Sequence, residues 1–138
     1  MLMQPFTNFP YEPRLSHFLG GISIYDQEET LGEALWVYNP NEYEDQKKII
    51  NNFIVSWFDH LTYRHRFVIY KLLESHLQDA NFDFSKEFES DYDDPRILAW
   101  DETEIMDPRG FFEHIFEIAS ESWKDDLIRA SLEDQSEW

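Results

Sequence analysis

The sequence predicts a mainly α-helical fold with three principal helices, a small N-terminal β-hairpin and an irregular acidic segment. Two observations predict it: apolar residues recur at helical spacing in three stretches, and prolines, glycines and clustered acids interrupt the rest of the chain. A length of 138 residues, of which 42% are hydrophobic and 17% aromatic, suits one domain, residues 1–138, with a packed core. We expect the acidic tail, residues 132–138, to be frayed.

The N-terminal region is rich in aromatic rings and prolines. Since proline blocks regular helix, we expect residues 1–23 to form extended chain that packs over the domain through its rings. Residues 22–25 and 34–38 have the composition of short strands, and a polar turn at residues 26–30 separates them. This pattern predicts the hairpin.

The first two helices are adjacent in the sequence. The first is predicted over residues 41–61, where one helical face carries Ile50, Phe53, Ile54, Trp57, Phe58 and Leu61. The second is predicted over residues 62–78, with Thr62 as its N-cap. Because the junction between them is short, we expect an antiparallel pair.

The last helix has the clearest start signal. Asp107 is a suitable N-cap and Pro108 suits the first helical position, so we predict a helix over residues 107–131. Before it, residues 79–106 have no sustained period and are predicted to be irregular, apart from one helical turn at residues 85–88.

Composition excludes several classes of protein. The chain has no cysteine, which excludes disulfides, zinc–thiolate sites and cysteine nucleophiles. Its first residues lack the basic and apolar regions of a secretion signal, and no apolar run approaches the roughly 18 residues of a membrane span. We therefore expect a cytoplasmic protein. A net charge of −18 repels nucleic acid and anionic lipid, so neither is expected as a direct partner.

The acidic charge is unevenly distributed. Residues 24–45 contain seven acids and no Lys or Arg, whereas residues 46–77 carry more basic than acidic residues. Residues 78–107 contain eleven acids against Lys86 and Arg96. Half of the net charge therefore lies in one irregular segment of 30 residues, where its self-repulsion costs stability.

This acidic segment is the candidate binding surface. Its acids alternate with aromatic and aliphatic residues, an arrangement that suits a protein interface in which rings supply contact energy and charge supplies rate and selectivity. A basic protein is the expected partner. The candidate partner-binding residues are Asp83, Glu87, Glu89, Asp91, Tyr92, Asp93, Asp94, Trp100, Asp101 and Glu102. A second interpretation stays open, in which the acids are solvated surface and the rings are local core.

Motifs for catalysis are weak. Glu113, His114 and Glu117 have the spacing of metal ligands on one helix, which leaves a metal-dependent enzyme as an alternative, although such a face is more often solvated. No Gly-rich phosphate loop, nucleophile elbow or zinc-protease motif occurs. The sequence thus predicts no catalytic residue, no metal and no cofactor. The basic cluster Arg64-His65-Arg66 is expected to pair with acids of the chain itself.

In overall character the chain resembles the small acidic immunity proteins of bacterial toxin–immunity systems, such as those of contact-dependent growth inhibition. The features that carry the resemblance are the acid–aromatic stretch at residues 79–107 and the acidic carboxyl tail. No motif is shared, so no site residue is transferred. The resemblance implies an inhibitor that neutralises a basic toxin domain, many of which are nucleases with basic substrate clefts.

A nucleic-acid mimic that inhibits a restriction or defence enzyme is the other alternative. Mimicry predicts carboxylates spread along an elongated surface, whereas an immunity protein predicts a compact patch around apolar anchors. The concentration of charge among aromatic residues favours the immunity interpretation.

Overall fold

A computed structural model describes residues 1–89 and 97–138 of the chain. It is 61% helix and 3% strand, which confirms the mainly α-helical prediction. The described residues form no sheet and contain no helix that is both long and apolar enough to span a membrane. The α-helices of two or more turns are α1 (Tyr43–Ile49), α2 (Tyr63–Leu77), α3 (Pro108–Ser122) and α4 (Lys124–Ser131).

Shorter helical segments complete the architecture. The 3-10 helices are Leu15–Ile22, Ser56–His60, Phe84–Phe88 and Gln135–Glu137, the π-helices are Glu28–Gly32 and Ile50–Val55, and a single α-helical turn covers Glu33–Leu35. The division into three principal helices is therefore not confirmed.

The first predicted helix changes its winding along its length. After α1, the chain widens into the π-helix Ile50–Val55 and then tightens into the 3-10 helix Ser56–His60. These changes rotate later residues away from the face that a uniform α-helix would present. As a result Phe58 is fully buried, whereas Trp57, predicted on the same face, is 46% exposed.

The N-caps predicted at Thr62 and Asp107 are present, whereas the first long α-helix begins at Tyr43 without a side-chain cap. The Thr62 hydroxyl accepts a hydrogen bond from the His65 backbone N–H at 3.5 Å at the start of α2. The Asp107 carboxylate accepts one from the Gly110 N–H at 3.0 Å, and Pro108 is the first residue of α3. The last predicted helix is nevertheless divided at Trp123, whose backbone leaves the helical region while its ring is buried in the core.

The predicted N-terminal hairpin is wrong. Ser23 pairs with Leu98 in an antiparallel bridge, flanked by hydrogen bonds from the Ile24 N–H to the Ile97 carbonyl and from the Ala99 N–H to the Ile22 carbonyl. The second candidate strand begins instead within the helical turn Glu33–Leu35, which buries Leu35 completely. A long-range pairing and the burial of one leucine therefore override the local strand propensity.

Residues 1–23 only partly follow the sequence-based prediction. Residues 15–22 are helical, and the loop before them closes through hydrogen bonds from Gln4 N–H to the Phe9 carbonyl and from Tyr11 N–H to the Leu2 carbonyl. The rings of Phe6 and Phe9 are exposed, contrary to the expectation that they pack on the domain. Phe6 also has a φ of 61°, which is unusual for a bulky residue.

The core is built largely from aromatic rings around α3. Phe111 and Phe112 are fully buried there, and Phe84 and Phe88 from the 3-10 helix Phe84–Phe88 pack against them. Each buried ring removes a large apolar area from water, which offsets the acidic surface.

The predicted fraying of residues 132–138 is also wrong. The Tyr63 hydroxyl donates a hydrogen bond of 2.6 Å to Glu133, and Trp138 is buried with its ring edge-on to Phe67 at 5.8 Å. The tail is packed because the burial of a tryptophan and a paired carboxylate outweighs its acidity.

Candidate functional site

Residues 97–107, the last part of the second acidic segment, lie beside the first acidic segment, residues 24–45. The bridge between Ser23 and Leu98 starts this contact. Further along, the indole N–H of Trp36 donates a hydrogen bond of 2.9 Å to the Ala99 carbonyl. The contact therefore extends well beyond the bridge.

Asn41 makes the last connection between the segments. Its side-chain amide donates to the Glu104 carbonyl at 2.8 Å and accepts from the Met106 N–H at 2.9 Å. We call residues 24–45 together with residues 97–107 the acidic face.

The acidic face has no basic residue to balance it. It contains eleven Asp and Glu residues and no Lys or Arg. Within residues 1–89 and 97–138, none of these carboxylates forms an ion pair with a lysine or an arginine, since the four ion pairs there all involve other acids. Its charge is thus left for solvent or a partner to compensate.

The basic cluster compensates other acids, as predicted. Arg64 pairs with Glu133 at 3.0 Å and Arg66 pairs with Asp126 at 2.9 Å. These partners lie in α4 and the tail. His65 is buried and its Nε2 lies 2.7 Å from the Met3 carbonyl, which ties the N-terminal loop to α2.

The acidic face also contains exposed apolar side chains. Trp36 is 49% exposed although its indole nitrogen is bonded, and Val37 and Tyr43 are also exposed. Met106 is 83% exposed. Exposed apolar groups surrounded by uncompensated carboxylates have the composition of a protein-binding surface.

The predicted site residues other than Trp100 divide into three groups. Asp101 and Glu102 belong to the acidic face. Asp83, Glu87 and Glu89 belong to or flank the 3-10 helix Phe84–Phe88, which packs on α3. Asp91, Tyr92, Asp93 and Asp94 lie outside the described residues.

Two of the predicted acids have local structural roles. Asp83 accepts hydrogen bonds from the Ser85 hydroxyl and N–H, and Asp101 accepts the same pair from Thr103. These bonds hold the pKa of each carboxyl below its usual value, and the bond from the hydroxyl has the larger effect. Both carboxylates therefore stabilise turns in addition to contributing charge.

Trp100 is not available as a surface anchor. Its side chain is 5% exposed and belongs to the main core, as do the rings of Phe84 and Phe88. For these three aromatic residues the interpretation as local core is the one that the structure supports. The exposed apolar residues of the face are instead Trp36, Val37 and Met106, which can make the apolar contacts that the sequence assigned to the buried rings.

Next to the acidic face is a cavity of about 380 Å³ between the start of α1 and the first turns of α3. It is lined by Asn41, Tyr43, Gln46, Met106, Asp107, Gly110, Phe111, Glu113, His114 and Glu117. It therefore adjoins the face through Asn41, Tyr43, Met106 and Asp107.

His114 is the most buried polar residue of this cavity, with 4% exposure. Its ring stacks on Tyr43 at 4.3 Å and its Nδ1 lies 2.6 Å from Gln46 Oε1. Burial lowers the pKa of His114, with nearby Lys47 acting in the same direction and Glu117 opposing it. His114 is therefore buried, whereas Glu113 and Glu117 on the same helix are exposed to solvent.

The metal-ligand spacing on α3 does not extend to a full site. In the described part of the chain, no group of three or more His, Asp or Glu side chains is placed to hold a metal ion. A chelating site needs ligands that converge from several elements.

Comparison with protein-family models, curated proteins and solved structures finds no match.

Sequence reasoning missed the apolar residues of the face. Trp36 and Val37 are interpreted from the sequence as strand, and Met106 stands out by no pattern at the end of the irregular segment. One signal was present: residues 24–45 combine seven acids with Trp36, Tyr43 and no cation, the same acid–aromatic character as residues 78–107.

Proposed function

We propose that this chain is an acidic inhibitor that binds a basic protein through the acidic face, as an immunity protein binds its toxin. The observation that supports the proposal most directly is the side-by-side placement of the two parts of the acidic face, with exposed Trp36, Val37 and Met106 among them. Together they offer apolar contact and charge in one region.

The physics of the face favours a basic partner. Eleven acids without a cation repel one another, and a positive surface relieves that repulsion when it binds. The same charge speeds encounter, since electrostatic steering raises association rates to about 10⁸–10⁹ M⁻¹s⁻¹ at low salt. The exposed apolar residues then supply contact energy that salt does not screen.

A nuclease toxin domain is the partner of this kind that we propose. A nuclease needs a basic cleft to hold phosphates, and an acidic inhibitor is complementary to such a cleft. The apolar residues favour this mode over nucleic-acid mimicry, because a mimic reproduces spaced phosphates and needs no exposed Trp36 or Met106.

The experiment is a neutralisation assay with matched charge variants. Bacteria that express a basic nuclease toxin domain, taken from a panel that includes any toxin encoded beside this gene, are scored for survival with and without the chain. We expect protection by the wild type against its cognate toxin and at least a hundredfold loss of protection with Glu33→Lys/Glu102→Lys.

The matched control is Glu121→Lys/Glu137→Lys, which changes the net charge equally at exposed positions outside the face. We expect it to protect like the wild type. Equal loss of protection in both variants would show that only the total charge matters and not the acidic face. No protection against any member of the panel would contradict the inhibitor proposal.

A further inference from the structure

The cavity beside the acidic face contains a defined hydrogen-bond acceptor. Gln46 Nε2 donates a hydrogen bond of 2.8 Å to the Pro40 carbonyl, which can only accept. Gln46 Oε1 is therefore the atom that faces His114 Nδ1 at 2.6 Å. His114 must carry its proton on Nδ1, and Nε2 presents a lone pair.

That lone pair is unused. Among residues 1–89 and 97–138, His114 Nε2 has no hydrogen-bond partner, although the residue as a whole is only 4% exposed. Nε2 is not fully enclosed, and the cavity that His114 lines gives access to it. It can therefore accept a hydrogen bond from a donor that enters the cavity.

The wall of the cavity is negative. Glu113 and Glu117 lie on successive turns of α3, both exposed, and neither forms an ion pair within the described ranges. Asp107 is held at the rim by its bond to Gly110 N–H. Lys47 of α1, which acts on the pKa of His114, is not among the lining residues, and these include no Lys or Arg.

We propose that this cavity binds the guanidinium group of an arginine side chain. A guanidinium has five donors in a planar fork, which match one imidazole acceptor and two or more carboxylates at once. It also stacks on aromatic rings, and Tyr43 presents an exposed ring at the cavity. A lysine ammonium offers only a compact point charge and no planar surface for the ring.

This inference deepens the proposed function, on which its biological meaning rests: the arginine would belong to the basic partner and would anchor it beside the acidic face. Arginine is enriched among the residues that carry most of the energy of protein interfaces. The chemistry of the cavity can nevertheless be tested without any partner.

The test is a titration of the full chain with N-acetyl-arginine amide, followed by the NMR signals of the His114 imidazole nitrogens. We expect a saturable change at Nε2, at least fivefold weaker binding of N-acetyl-lysine amide, and no saturable change with the neutral isostere N-acetyl-citrulline amide. A response to citrulline, or lysine binding of equal strength, would contradict the guanidinium assignment.

Matched variants locate the site. Glu113→Gln/Glu117→Gln should weaken arginine binding at least tenfold, whereas Glu121→Gln/Glu137→Gln, with the same change of charge, should alter it less than twofold. Both pairs are exposed, so the fold is expected to survive, and circular dichroism checks this. Equal effects of the two variants would show that arginine binds by overall charge only.

The titration and the neutralisation assay fail independently. Arginine binding without protection from any toxin would leave the cavity assignment and overturn the inhibitor proposal. Protection that depends on the acidic face, with no change at His114 Nε2 on addition of N-acetyl-arginine amide, would overturn the cavity assignment alone.

Discussion

The acidic face and the region where α2 meets α4 treat the same kind of side chain differently. In the second region both arginines of α2 have an acid: Arg64 pairs with Glu133, and Arg66 pairs with Asp126. On the face, eleven acids have no cation within the described parts of the chain. The charges of Arg64 and Arg66 are thus paired with acids, whereas the carboxylates of the acidic face form no ion pair with a lysine or an arginine in those parts.

The difference also concerns burial. Arg66 has a side-chain exposure of 15%, and besides Asp126 it donates to the carbonyls of Phe58 and Leu61 at 3.0 and 2.6 Å. Acids of the face such as Glu33 and Glu102 are exposed. Exposed charges interact weakly through water, so their value to the free protein is small.

The largest expected effect on stability comes from a variant that breaks an ion pair between α2 and α4. Arg66→Met keeps much of the side chain's volume but leaves Asp126 and two carbonyls without their donor, so the free energy of unfolding should fall by about 2 kcal/mol. Urea unfolding measures this. The control Arg14→Met removes an exposed arginine 3.9 Å from Glu12 and should change stability by less than about 0.5 kcal/mol. Similar losses of stability in Arg66→Met and Arg14→Met would contradict the view that the paired, largely buried arginine supports the fold more than the exposed one.

A smaller effect concerns pH at the border of the face. Burial lowers the pKa of His114, and also that of His17, below the ordinary 6.5. Between the folded and the unfolded pKa the unfolded state binds more protons than the folded state. Stability therefore falls as pH drops below about 6.5, and the total loss grows with the gap between the two pKa values.

The measurement compares urea unfolding at pH 7.5 and pH 5.5. In His114→Gln the loss of stability between these two pH values should shrink, because one of the two contributing imidazoles is gone. An unchanged loss would mean that His114 titrates alike in both states.

The smallest effect tests the unpaired charge itself. Glu33→Gln/Glu102→Gln removes two repelling charges, so thermal unfolding at low salt should shift upward by an amount equivalent to a few tenths of a kcal/mol. Added salt should stabilise the wild type more than this variant, since salt screens the repulsion that the variant lacks. A destabilised variant would show that these carboxylates support the fold.

Features that depend on neighbouring residues could be predicted from the sequence. Thr62 and Asp107 cap their helices because a cap needs only a suitable side chain and the next three residues. The pairing of Arg64 and Arg66 with acids of the chain followed from their being the sole basic cluster. Their partners in α4 and the tail could not be predicted, because a contact across 60 or more residues depends on the packed fold.

Exposure was harder to predict than helix. In the sequence, Trp36 and Trp100 are similar aromatic residues close to acids. In the structure Trp36 is half exposed, with its indole bonded to the Ala99 carbonyl, whereas Trp100 is buried. The cavity was missed for a related reason. His114 and Gln46 are 68 residues apart, and only the packing of α1 on α3 joins them.

The π-helix Ile50–Val55 affects which of the side chains after it face the core. A wide turn contains about one residue more than an α-helical turn, so the count of residues, as much as their type, decides which side chains after it face inward. Deletion of exposed Asn52 would remove that extra residue and restore α-helical winding, so the residues after it would keep the faces that they present now. Trp57 would stay at the surface and Phe58 would stay in the core. The wide turn thus accommodates one residue that a uniform α-helix could accept only by rotating the following turn by about 100°.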